Sequence, residues 1–87
     1  MLLSMKRRQQ EERIRPLQER IGEALRKRRE AKSYSQDSFA DHINMHRAYY
    51  GAIERGEKNL QLTTLDRVCV GLGTPMSEIL RDAESMT

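Results

Sequence analysis

The stretch from Ser35 to Gly56, S-Q-D-S-F-A-D-H-I-N-M-H-R-A-Y-Y-G-A-I-E-R-G, constrains this chain more than any other. It reads as two short helices joined by a tight turn. Ser35 is a good N-cap, because its hydroxyl can accept a hydrogen bond from an orphan N–H of the first turn. Asp37 lies in that turn, where the helix dipole favours negative charge. Tyr34 before the cap and Phe39 four residues after it are spaced for a hydrophobic staple. Phe39, Ala40 and Ile43 share one face. Asn44 tolerates the left-handed backbone that ends a helix, and Met45 is an apolar plug after the turn. A second helix is expected from near His46, carrying Tyr49, Tyr50 and Ile53 inward until Gly56 stops it.

Ala40 matters by being small, since two helices crossing steeply within a few residues bring their backbones close. The pattern Gln36, Ala40, Asn44, Met45, Tyr50, Ile53 therefore fits a helix-turn-helix, whose second helix enters a DNA major groove. With Tyr50 and Ile53 inward, His46, Arg47, Ala48, Gly51, Ala52 and Arg55 are left on the outer face. Arg47 is the strongest base-reading candidate, because a guanidinium can bind guanine O6 and N7 with two parallel bonds, while Ala48 can touch a thymine methyl. Gly51 and Ala52 offer little hydrogen bonding and would permit close approach instead. So sparse a readout leaves part of the recognition to DNA shape. Tyr49 either contacts the DNA backbone or packs.

Charge is distributed unevenly. Residues 1–32 hold eleven Lys/Arg against five Asp/Glu, a balance of +6, and the remainder is −3. A basic end suits a polyanion, whereas the later acids argue against indiscriminate coating of nucleic acid. Eighty-seven residues make one small domain with a modest core, the size at which oligomerisation often helps. Cys69 is the one cysteine and falls on an apolar helical stripe, so it reads as a buried small hydrophobe. With no long apolar run or signal-like leader, a reducing cytoplasm is the expected location.

The organisation along the chain is all-α. Residues 1–15 form a polar, basic extension (Lys6, Arg7, Arg8, Arg13) that reads as a solvated segment, a phosphate-following arm or a partner-docking element. The domain is expected over 16–83, with the motif at 35–56, and 84–87 as a loose tail. Pro16 suits a helix start. Leu17, Ile21, Ala24 and Leu25 then mark an amphipathic helix to about Ala31. Leu62, Leu65, Val68, Cys69 and Leu72 mark a fourth helix, capped by Gln61 or Thr63 and ended by Gly73. Pro75 opens a fifth, with Met76, Ile79 and Leu80 apolar. These three are the expected dimer interface, the alternative being that they complete the monomer core.

The marks Ser35-Gln36, Ala40, Ile53-Glu54-Arg55-Gly56-Glu57, Asn59, Leu65 and Leu72-Gly73 resemble the Xre-type, lambda-repressor-like regulators over roughly Ile21 to Leu80. Restriction–modification controller proteins are especially similar there. The resemblance implies a compact five-helix lambda-repressor-like DNA-binding domain. It maps Arg47, Ala48 and Ala52 to base-reading positions and gives Gln36 a phosphate. It also pairs Arg29 with Glu54, tying the first helix to the end of the recognition helix. His46, Arg55, Lys58 and Asn59 are placed to grip phosphate at either end of that helix, although His46 stands where the family commonly has a hydroxyl. Ser33 stands where the family usually has Gly, which implies either strain at that turn or a slightly different helix exit.

One monomer reads only a few base pairs, so a homodimer on double-stranded DNA is expected, with half-sites roughly 34–36 Å apart. The expected function is a sequence-specific transcriptional regulator that occupies an operator and either blocks polymerase or touches it. The alternative is an antitoxin-like module binding a second protein through the N-terminal segment as well as its own promoter. Enzymatic chemistry has little support: the chain has no Gly-rich phosphate loop and no recognisable nucleophile–base pair. No cofactor is expected, and His42 and His46 lack the Cys or carboxylate spacing of a metal site.

Overall fold

The computed structural model describes residues 15–86, and the basic extension therefore lies almost wholly outside the described residues. Among them are five helices: α1 Leu17–Ala31, α2 Gln36–His42, α3 Arg47–Glu54, α4 Leu62–Leu72 and α5 Met76–Glu84. The expected all-α architecture is the observed one. Helix α1 packs along α5 and against α3, α2 crosses α3, and α4 packs on α5.

Local chemistry explains most of the boundaries. The Ser35 hydroxyl accepts from the Ser38 N–H at 3.0 Å, and the Ser38 hydroxyl accepts in turn from the Ser35 N–H at 3.0 Å. This reciprocal cap satisfies donors that a seven-residue helix cannot leave bare. Tyr34 and Phe39 meet edge to face with ring centroids 5.4 Å apart, which is the expected staple. Asn44 takes φ 53° after α2, and Ser33 takes φ 65° where α1 turns into α2. A left-handed backbone is unfavourable for a serine, so the expected strain at Ser33 is present. Gly56 follows α3 at φ 74°, and its Cα faces the Glu19 backbone so closely that any side chain would collide with it.

Pro16 and Pro75 each occupy the position just before a helix rather than its first residue, a one-residue difference of the kind helix ends commonly show. Gln61 precedes α4, yet neither it nor Thr63 caps through its side chain. Beyond Glu84, Met86 packs half-buried against the core, and its N–H donates to the Ala83 carbonyl.

The core gathers Leu25 from α1, Phe39 from α2, Tyr50 and Ile53 from α3, Val68 and Leu72 from α4, and Ile79 from α5, all essentially inaccessible. Cys69 is buried among them, and burial pushes its thiol up from the ordinary value. Ile79 therefore belongs to the monomer interior and cannot serve as a dimer contact. Met76 and Leu80, its companions in that expectation, are half-buried against the same core. The reason is geometric: α5 lies in the channel between α1 and α4, so its apolar stripe is used within the monomer.

Candidate nucleic-acid interface

Helix α3 is pinned from inside. Its last residue, Glu54, meets Arg29 of α1 in a two-pronged fork, Nε to Oε2 at 2.7 Å and Nη2 to Oε1 at 2.9 Å. The remaining Arg29 nitrogen, Nη1, donates to the Tyr34 carbonyl at 2.7 Å, and the Gln36 amide donates to Glu54 Oε1 at 3.1 Å. The expected Arg29–Glu54 pair is thus present and nearly dry, with side chains 8% and 2% exposed. Burial alone would raise the Glu54 carboxyl, but the Arg29 fork, with the neighbouring Tyr50 hydroxyl and Gln36 amide, outweighs it and holds the group below its ordinary value. Beside it, Tyr50 Oη is the one buried side-chain polar atom among the described residues without a hydrogen-bond partner. Burial keeps that phenol protonated far above its usual range.

Gly22 permits this closeness. A Cβ there would stand 2.4 Å from the Glu54 carbonyl oxygen and 2.6 Å from that of Ile53, so α1 and α3 touch backbone to backbone. The turn between α2 and α3 is held from another direction. Arg67 of α4 donates to the Ile43 carbonyl, Nη2 at 2.7 Å, and also to the Asn44 carbonyl. These carbonyls end α2 and lack partners within it.

The outer side of α3 is open at its first turn. Arg47 and Ala48 are exposed, and Tyr49 is 37% exposed rather than inward. Lys58 lies over the Tyr49 ring at 5.7 Å from its centroid. His46 is exposed at the cap position, with no side-chain bond to the helix. Arg55, also exposed, is paired with Glu57 at 2.7 Å, which raises the guanidinium and lowers the carboxyl. Arg47 is paired too. Asp41 of α2 accepts from its Nε at 3.3 Å and its Nη2 at 2.8 Å, and Asp37 Oδ2 lies 3.5 Å from Nη1. The bond to Asp41 raises the Arg47 pKa and lowers that of Asp41.

Three expected contact residues are not presented as the sequence suggested. Gly51 and Ala52 are buried. The Gln36 and Arg55 side chains close over Gly51, where a Cβ would meet each at 3.1 Å, and Ala52 is 6% exposed. An eight-residue helix gripped by both α1 and α2 keeps only its first turn free. Gln36 itself turns its amide inward to Glu54 instead of outward to solvent. Asn59 is exposed, and it lines an apolar groove of about 390 Å³ together with Leu17, Leu60, Leu62 and Leu80.

Sequence reasoning missed four residues of this arrangement: Gly22, Asp37 and Asp41 as partners of Arg47, and Arg67. Asp37 and Asp41 had a signal, since an i, i+4 pair of acids shares a helix face. Gly22 interrupts an otherwise strong helical pattern, a known sign of close packing. Among the described residues no group of His, Cys, Asp and Glu could hold a metal, and no helix is long and apolar enough to cross a membrane.

The comparisons with known proteins agree with this geometry. The helix-turn-helix family model HTH_3 matches residues 25–79. Control protein C.MunI of Mycoplasma sp. is 42% identical over 66 residues, covering 75% of this chain and 89% of that protein. Control protein C.SmaI of Serratia marcescens is 33% identical over 64 residues, covering 74% and 76%. Among solved structures, the clp gene regulator ClgR from C. glutamicum superposes with a TM-score of 0.79 at 31% identity, covering 84% of this chain and 95% of that one. The restriction–modification controller protein C.AhdI from Aeromonas hydrophila gives 0.67 at 31% identity, covering 70% and 92%. The pinned α3, its capped neighbour α2 and these likenesses lead to one assignment: the chain belongs to the HTH_3 helix-turn-helix family of Xre-type, DNA-binding transcriptional regulators.

Proposed function

We propose that this protein is the controller of a restriction–modification system, binding its operator as a homodimer. The observation that carries the reading is Arg47, 57% exposed on the first turn of a helix whose opposite side is locked to α1. A rigid helix with a bare N-terminal turn is what insertion into a major groove requires. Arg47 reads a guanine and Ala48 a neighbouring thymine methyl. His46, Arg55 and Lys58 hold phosphates at the flanks, and Gln36 joins them when its amide turns outward. Asn59 makes a phosphate contact only where the backbone passes the rim of the groove.

The relatives described as control proteins support the biological role. A second copy covers the apolar groove, where Leu17 is 47% and Leu62 is 72% exposed on the described surface. The site needs that copy, because one recognition helix spans only a few base pairs.

Selection of bound fragments from a random DNA pool tests the reading directly. The expected result is a two-fold symmetric sequence with half-sites roughly 34–36 Å apart. Equal retention of all sequences at moderate salt would overturn it.

A further inference from the structure

The acids beside Arg47 are out of place in a surface that meets DNA. Asp37 and Asp41 lie four residues apart on one face of α2, and both turn toward the first residue of α3. All three side chains are open to solvent, at 57% for Arg47, 63% for Asp37 and 58% for Asp41. Exposed pairs of this kind contribute little to folding. Each carboxylate also repels the phosphates that α3 must approach.

The geometry of the fork offers a different account. A guanidinium has two edges able to make a pair of parallel hydrogen bonds, the side edge Nε–Nη2 and the end edge Nη1–Nη2. Asp41 takes the side edge with both its oxygens. The end edge, formed by the two terminal nitrogens, is left for a base. Only Asp37 approaches it, at a long 3.5 Å from Nη1.

We propose that Asp41 is a specificity-determining positioning residue: its fork on the side edge of Arg47 holds the end edge toward the base and keeps the guanidinium from serving as a general phosphate contact. The proposal rests on the reading of Arg47 as the base-contacting residue. Asp37 is the minor member, drawing on the same Nη1 that a base would take and releasing it when the base arrives. A guanidinium fixed on one edge loses little further freedom on binding, and a neutralised one gains little from random sequence.

The test measures binding of the selected operator and of random duplex across a salt series. The proteins are the wild type, Asp41→Asn, Arg47→Ala and the double variant. Asp41→Asn is expected to lower the operator-to-random ratio by about tenfold, the discrimination carried by one good bidentate contact. It should tighten binding to random DNA and steepen the salt slope there by about one. The thermal midpoint should not move, which separates the effect from a folding defect. In the Arg47→Ala background the same change should leave the ratio unaltered, because the residue it acts through is gone.

Equal strengthening of operator and random DNA by Asp41→Asn would overturn the proposal, since that is simple relief of repulsion. So would a fall in the ratio that persists without Arg47. If Arg47→Ala lowers the ratio and Asp41→Asn does not, this inference fails alone. If Arg47→Ala leaves the ratio intact, the base-reading assignment fails with it.

Discussion

Two ion pairs sit at opposite ends and on opposite sides of the same short helix, and they do different work. Arg29–Glu54 is dry, forked, and backed by Tyr34 and Gln36. Arg47–Asp41 is also forked but lies in water. Burying the first pair costs desolvation that its attraction repays only through good geometry, so its value is in fixing where α3 stands. The second is weak in water and therefore exchangeable for a nucleic-acid partner. One pair builds the platform and the other is free to be traded, a division set by solvent access and not by residue type.

The largest effect should come from breaking the inner pair. Glu54→Ala leaves a buried guanidinium unpaired and should cost about 3–5 kcal/mol of stability in a urea titration. The pH dependence sharpens the same point. The Glu54 carboxyl is held below its ordinary value of 4.5, so its contribution is fully present above that value and is lost as the pH falls through the folded-state value. Glu54→Gln should flatten that acid limb in thermal melts taken at descending pH.

Gly22→Ala comes next. A methyl group at 2.4 Å from a carbonyl oxygen must move a backbone, not a flexible side chain. A loss of about 2–3 kcal/mol is expected in the same titration. On the outer side, Arg47→Ala should leave stability within about 0.5 kcal/mol of the parent. It should weaken operator binding by about 1–3 kcal/mol and relax the preference at one base pair, read in a mobility-shift series. The smallest effect belongs to the bare cap. His46→Ser supplies the missing acceptor to α3 and should raise stability by about 0.5–1 kcal/mol in thermal melts.

The elements were legible in the sequence where local chemistry decides them. The Ser35 cap, the Tyr34–Phe39 staple, the Asn44 turn and the Gly56 stop all depend on residues within a few positions of one another. Arg29–Glu54 spans twenty-five positions and was legible only through resemblance to a family. The free face of α3 was misread because helical periodicity shows which residues face inward, but not how many neighbours grip the helix. One neighbour would leave Gly51 and Ala52 open; α1 and α2 together do not. Ile79 was ambiguous for the same reason, since an apolar stripe looks alike whether its partner is α1 or a second copy. Arg67 could not be found at all, because its partners are backbone carbonyls that any sequence possesses.

Cys69 has a practical consequence. It is the chain's sole thiol, it is 2% exposed, and it sits on the inner face of α4. A sulfhydryl reagent in solution can react with it only during the moments when α4 lifts from its neighbours. The molecule thus carries a native stopwatch: the rate at which the sulfur is modified counts those excursions, with no engineered label and no denaturant.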